Sequence, residues 1–435
     1  MSISQNFPAE GPTLNLNFAG SKKLDPRITF TRTSTATYLD DNGLITIAPT
    51  DTPRFEHSVV GVGSTITGVE SLGLLIEESR TNLITYSEQF DNAAWTKNNV
   101  GVTTNTSATT APDGSTNADA LLETAATGEH RIRQTFTGLT TNTNYTTSVY
   151  VKDLGGRNLS IRILDTDNTS NGYSAVFSPS AGNIVISHYS LGAGIATSST
   201  ITNVGNGWYR ATLTGNAGVS CTKYILDLFC YSDTSFNYAG DITKGLYLWG
   251  AQLEQGAFPT SYIPTVASTG ARSADNAFMT GTNFSSWYNS TASTGGTILA
   301  QARRGYSGNF SGYPNLYRIS DGTSNNRILA YGVDASTQFT NYAITTGGVL
   351  QTDYAFATIS TTNLFKSIHA VSTNNSTFGA NGTLTTTDTS VTLPSVNRLD
   401  IGTTESGGNL WNGTISAISY YPTRLSNTLL QNLTK

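Results

Sequence analysis

Short runs rich in apolar residues recur at close intervals along much of the chain, bounded by polar turn residues, the pattern of β-strands. Ile132–Thr137, Tyr145–Lys152, Asn158–Leu164, Tyr173–Ser178, Trp208–Thr214, Tyr224–Tyr231 and Leu246–Leu253 read as strands, with Gly, Asn and Asp between them. Strands at that spacing predict an antiparallel sandwich with Greek-key links. Nearer the start, Leu14–Phe18 alternates, and Ala36–Ile47 reads as a hairpin turning at Asn42-Gly43. Toward the end, Asn381-Gly382 marks a tight turn, Arg398–Gly402 a short strand, and Trp411–Tyr421 a longer one with imperfect alternation. A helical period occurs in Arg424–Leu433, where Leu425, Leu429 and Leu433 recur every fourth residue.

Three segments follow from these patterns. Residues 1–85 read as a small N-terminal β module for anchoring or assembly, with too few large apolar residues to fold without a neighbour or partner subunit. Residues 86–265 read as one sandwich and 270–435 as a second, with Thr265–Arg272, rich in Ser, Thr, Ala and Gly, as the linker. The predicted fold class is all-β.

Composition sharpens this picture. Only 12% of the 435 residues are charged, so Thr, Ser, Asn and Gly must build the polar surface. With 21 Tyr, 17 Phe and 5 Trp, the chain is too aromatic for disorder. A net charge of −5 and the lack of any Lys/Arg run argue against nucleic acid as a partner. No run approaches the ~18 apolar residues of a membrane span, so no membrane insertion is expected. The first residues lack the basic and apolar regions of a signal peptide, which predicts synthesis in a cytoplasm.

The search for chemistry yields little. His57, His130, His188 and His369 are scattered without ligand spacing, and no nucleophile elbow, phosphate loop or dinucleotide fingerprint occurs. No catalytic residue, metal or cofactor is assigned, and the chain is read as not an enzyme. Glu77-Glu78 reads as a solvated edge and Glu254 as structural. Cys221 and Cys230 share one apolar run at odd spacing, which predicts opposite faces of a strand and no mutual disulfide.

Sugar binding needs aromatic faces beside amides and carboxylates. Trp208 and Trp249 lie in apolar strands and read as core. Trp287, Tyr288, Tyr306, Tyr313 and Trp411 lie among Gly, Ser and Asn, where loops present side chains outward. They are the candidate carbohydrate contacts. Trp95, in a polar opening segment, stands between core and site.

Several motifs resemble a known family. Gly245–Pro264 with Asn206–Arg210 is similar to the last strands of carbohydrate-binding jelly-roll modules of bacteriophage fibre and spike proteins, and Asn82–Trp95 to their opening strand. Thr29–Arg32, Ser34–Tyr38 and Gly73–Asn82 resemble an N-terminal module recurrent in phage structural proteins. Gly413–Ile415 and Arg424–Ser426 resemble the closing elements of concanavalin A/laminin-G-like sandwiches. The resemblance implies a jelly roll followed by a lectin-like domain on a virion surface. It implies an adhesin contacting host glycans, packed with other virion structural proteins and homo-oligomeric, a trimer being favoured. A structural head-fibre, capsid-decorating or tail-fibre subunit is the alternative, and a polysaccharide depolymerase a third reading. The depolymerase reading calls for solenoid periodicity, which is not visible.

Overall fold

The computed structural model describes residues 11–62, 65–232, 234–305, 312–333, 339–356 and 363–435. Strands make up 52% of the chain and helix 4%, so the protein is all-β. Every strand pairing is antiparallel, as expected where hairpins and not helices connect the strands.

Two six-stranded sheets form the jelly roll. One runs, in spatial order, Ile195–Gly205, Trp208–Asn216, Tyr145–Leu154, Gly245–Gln255, Asp119–Glu123, Val100–Thr103. The other runs Asn183–Leu191, Gly172–Ser178, Asn158–Asp165, Lys223–Tyr231, Arg131–Thr137, Thr96–Asn98. The alternation read along each strand sends Ile132, Phe136, Leu159, Ile161, Ile163, Leu226 and Leu228 into the core between them. Trp208 and Trp249 are also buried, at 1% and 2% exposure, but outside that core. With Tyr150 and Tyr262 they form a second cluster, joined by Ile45 of the hairpin Ala36–Leu39/Ile45–Ala48. That hairpin turns at Asn42-Gly43, where Gly43 takes φ +75°.

The second sandwich pairs an eight-stranded with a seven-stranded sheet. Its central strand, Gly413–Tyr421, pairs with Gly296–Arg304 on one side. On the other it pairs with Leu14–Leu16 and with the end of Thr65–Ile76. Thr29–Thr31 joins the facing sheet through Asn276–Thr280. Leu14, Leu16, Leu74 and Ile76 therefore share one core with Ile298, Ile415 and Ile418. The segment 1–85 thus contributes strands to both sheets of this sandwich and has no separate core among the described residues. Leu14–Leu16 and the end of Thr65–Ile76 are apolar toward the core and gain burial by joining a sheet that already has a partner. The segment 265–272 is held as well. Thr265 donates its N–H to Ser87 Oγ (2.9 Å), and Gly270–Arg272 pairs with Arg80–Asn82. The helix Asn427–Thr434 is capped by Ser426 Oγ accepting the Leu429 N–H, and it buries Leu430.

Cys221 and Cys230 are free and lie in the same jelly-roll core, which corrects the parity argument. Cys230 sits on Lys223–Tyr231, whereas Cys221 precedes that strand, so strand alternation does not relate them. Burial pushes the Cys221 thiol up to about 12 and Cys230 higher still. Neither thiol should be alkylated by iodoacetamide at pH 8 until the protein unfolds. Labelling of folded protein at the rate of the urea-unfolded chain would contradict this.

Candidate functional site

Loops from all three segments meet around a cleft of about 1080 Å³ between the two sandwiches. Thr140–Tyr145 and Gln255–Phe258 come from the jelly roll, Glu78–Thr81 and Ala271–Ser273 from the connecting segments, and Pro314 and Asn409–Asn412 from the second sandwich. The jelly-roll wall is tied by the Gly256 N–H donating to the Asn144 carbonyl (2.8 Å). The opposite wall is tied to residue 78. The Glu78 N–H donates to Asn412 Oδ1 (2.8 Å), and Asn412 Nδ2 donates to Glu78 Oε2 (2.9 Å). Asn412 takes φ +52° and Asn409 φ +47°, left-handed turns that asparagine tolerates.

Arg80 lies at the base of the cleft. Its Nη2 is 2.5 Å from Glu78 Oε1, and its guanidinium rests 4.7 Å above the Phe258 ring. A Cβ at Gly256, where φ is +143°, would fall 1.5 Å from Arg80 Nη1, so any other residue there would strain the backbone and displace this guanidinium. The side-chain amides of Asn142, Asn144, Gln255 and Asn409 make no hydrogen bond among the described residues. Each lines the cleft with its donors and acceptor left unused by the described residues.

Behind the cleft lies a buried ionic node. Arg54 Nη2 is 2.6 Å from Asp275 Oδ2, and Arg32 Nη1 is 3.1 Å from Asp275 Oδ1. Arg54 Nη1 is 2.7 Å from Glu77 Oε2, and Arg272 Nη1 is 3.3 Å from the same oxygen. Ser261, on the exit loop of the jelly roll, donates both N–H and Oγ–H to Glu77. Burial alone would raise the Glu77 carboxyl, but Arg272, Arg54 and the Ser261 donors hold it down at about 2. The reading of Glu77-Glu78 as a solvated edge is therefore corrected. Successive residues on an extended chain face opposite ways, so Glu77 points into the node while Glu78 reaches the cleft. Glu254 is structural, accepting from Gln252 and twice from Thr260.

The aromatic candidates do not converge on one place. Trp95 is fully buried, donating Nε1–H to the Tyr86 carbonyl (3.0 Å) beside Phe90. Trp287 is 3% exposed and packs edge-on against Phe284 and Tyr420. Trp411 is fully buried, with Nε1–H donating to the Arg303 carbonyl (3.2 Å) and the Arg304 guanidinium 4.7 Å over its ring. These three are corrected to core residues. Their Gly, Ser and Asn neighbours mark the turn, whereas the large ring gains most by entering the sandwich. Tyr288 is half-buried, stacked on Phe284 and Tyr420 beside a small pocket away from the cleft. Tyr306 lies outside the described residues. Tyr313 is 58% exposed, next to the cleft-lining Pro314 and edge-on to Tyr331. The cleft amides went unrecognised because asparagine in loops is too common to single out, and only the tertiary fold gathers these four. Among the described residues, no group of three or more His, Cys, Asp or Glu side chains is placed to hold a metal ion.

The fold defines an all-β protein of two antiparallel sandwiches with the N-terminal segment laced into the second. No protein-family model matches the chain, and no curated protein is significantly similar to it. Among solved structures it is similar to domains LG4-5 of the mouse laminin alpha1 chain, at 9% identity and a TM-score of 0.20, over 64% of this chain and 80% of that one. It is also similar to a Trypanosoma rangeli sialidase, at 8% identity and a TM-score of 0.27, over 73% of this chain and 60% of that one. That second structure is an enzyme, so the expectation that the chain is not an enzyme is withdrawn. Likenesses this loose place no residue and no activity in the chain.

Proposed function

We propose that the chain is a glycan-binding adhesin of a bacteriophage surface and that the cleft between its sandwiches is where the glycan enters. The observation carrying this reading is the set of four side-chain amides that are unpaired among the described residues, around a space of about 1080 Å³, with the exposed Tyr313 ring one residue from the lining Pro314. Amides match sugar hydroxyls as donors and acceptors, and a tyrosine face matches pyranose C–H groups. Apolar Leu83, Leu139, Phe258 and Leu410 in the same lining suit the less polar face of a sugar ring. Weak single-site binding is then multiplied by several copies on one particle, a homotrimer being the favoured assembly.

A structural fibre subunit is the second reading. It is favoured by Val349 and Leu350, 62% and 57% exposed on Val349–Phe356, which ends its sheet and offers a face to another chain.

Tyr313→Ala with Gln255→Ala tests the first reading, because both side chains are exposed and their removal leaves the core intact. The double variant should melt as wild type, lose about tenfold or more in affinity for the best ligand on a glycan array, and adsorb poorly to host cells. Unchanged array binding and adsorption would shift the assignment to the structural subunit.

A further inference from the structure

The outer face of the second jelly-roll sheet carries a cluster that the cleft does not use. Arg131 and Arg133 on Arg131–Thr137, Arg162 on Asn158–Asp165 and Asp227 on Lys223–Tyr231 come together there because their strands are adjacent. In register, Arg133 and Arg162 both face Asp227. The Asp227 side chain has no exposed area. Arg133 donates Nε–H (2.7 Å) and Nη2–H (2.9 Å) to its two oxygens. Arg162 Nη2 donates to Oδ2 (3.0 Å), and Arg131 Nη1 lies 3.4 Å from Oδ1. Glu129 stands at the edge, accepting from Arg131 Nε (2.9 Å) and Arg162 Nη2 (3.4 Å).

Three guanidiniums against two carboxylates leave one positive charge, on a chain whose net charge is −5. Two arginines would neutralise Asp227 and Glu129, and the third adds repulsion that a purely structural cluster does not need. The guanidiniums are also held still. Arg162 lies 4.4 Å over the Phe229 ring and 5.3 Å from that of Phe236. Nη1 of Arg133, Nη1 of Arg162 and Nη2 of Arg131 donate no hydrogen bond among the described residues, and none is sealed from solvent. The arginine side chains are 14–26% exposed, which leaves these edges reachable. Fixed guanidinium edges with unused N–H groups match a planar oxyanion, and little entropy is lost when it docks.

We propose that this platform binds the carboxylate of an acidic sugar unit in a polysaccharide, at a surface separate from the cleft. The proposal rests on the reading that the chain binds glycans, and it assigns the platform to the acidic units of the polysaccharide. Asp227 acts as the fixed counter-ion that holds the fan of arginines open, and Glu129 occupies part of the space the ligand carboxylate competes for.

The test uses the full chain and calorimetric titration with trigalacturonate, its fully methyl-esterified form, and a sulfated disaccharide. Wild type should bind trigalacturonate, with the affinity falling as salt rises. The methyl ester, which has the same sugars and no charge, should bind at least about tenfold more weakly. Arg131→Gln should weaken trigalacturonate binding by a similar factor. Glu129→Gln should tighten it severalfold, because it removes the competing carboxylate from an exposed edge without emptying the buried centre. That gain keeps the proposal testable if an arginine variant fails to fold, and a merely structural cluster would not show it. Equal binding of acid and ester, no tightening in Glu129→Gln, preference for the sulfated disaccharide, or no binding of trigalacturonate would each overturn the proposal. Neutral glycans report on the cleft alone, so failure of one site leaves the other standing.

Discussion

Replacing Asp275 by alanine is expected to lower the unfolding free energy by about 3–5 kcal/mol, a large fraction of the stability of a typical domain. Asp275 takes Arg54 on one oxygen and Arg32 on the other, and it also accepts the Glu77 N–H at 2.9 Å. All three of these side chains are buried, so removing the carboxylate strands two guanidiniums away from water. The node joins residues 32, 54 and 77 to Ser261 and residues 272–275, so the loss should fall on the junction between sandwiches. Urea melts of Asp275→Ala and Asp275→Asn, monitored by tryptophan fluorescence, measure it. A midpoint unchanged in both variants would show that the node is not what joins the parts.

The same node sets an acid limit. The Glu77 carboxyl is held at about 2 against an ordinary value of 4.5. Its folded value lies below its unfolded one, so its ionised form contributes stability that is complete above about pH 4.5. That stability is lost as pH falls toward 2. Glu77→Gln should remove this part of the acid limb and lower stability at neutral pH. If the stability of wild type and Glu77→Gln falls in parallel between pH 5 and pH 2, the linkage is absent.

Trp411→Ala is expected to cost about 3–5 kcal/mol, as a large ring removed from a packed core leaves a cavity its neighbours cannot fill. Trp411 contacts Phe365, and the Arg304 guanidinium lies over its ring. Trp287→Ala should behave in the same way, since it closes the end of the same core against Phe284 and Tyr420. Any loss of cell adsorption in either variant should therefore track the melt and not a sugar contact. A Trp411→Ala protein that melts as wild type but no longer binds glycan would return this ring to the candidate site.

The fold class was legible because it depends on local period. Alternation over Leu14–Phe18 and the apolar run Tyr224–Tyr231 are properties of neighbours in the chain, and so is the Asn42-Gly43 turn. The burial of Trp208 and Trp249 was legible too, since each sits in an apolar strand. The contacts of Leu14–Leu16 were not. That strand has the right alternation, but which sheet it joins depends on Tyr420, Ser419 and Ile418, some four hundred residues away.

The sequence by itself determined strands, turns and the apolar face of each strand, because these follow from steric and solvation preferences of adjacent residues. Only the tertiary structure decided which polar residues serve a site. Trp287 and Trp411 look like loop aromatics in sequence and are core, while Asn142, Asn144, Gln255 and Asn409 look ordinary and share a cleft. Arg131, Arg133, Arg162 and Asp227 span nearly a hundred positions, yet the register of three strands places them on one face. A charge or an amide acquires its role from what stands opposite it, and strand pairing over long separations sets that.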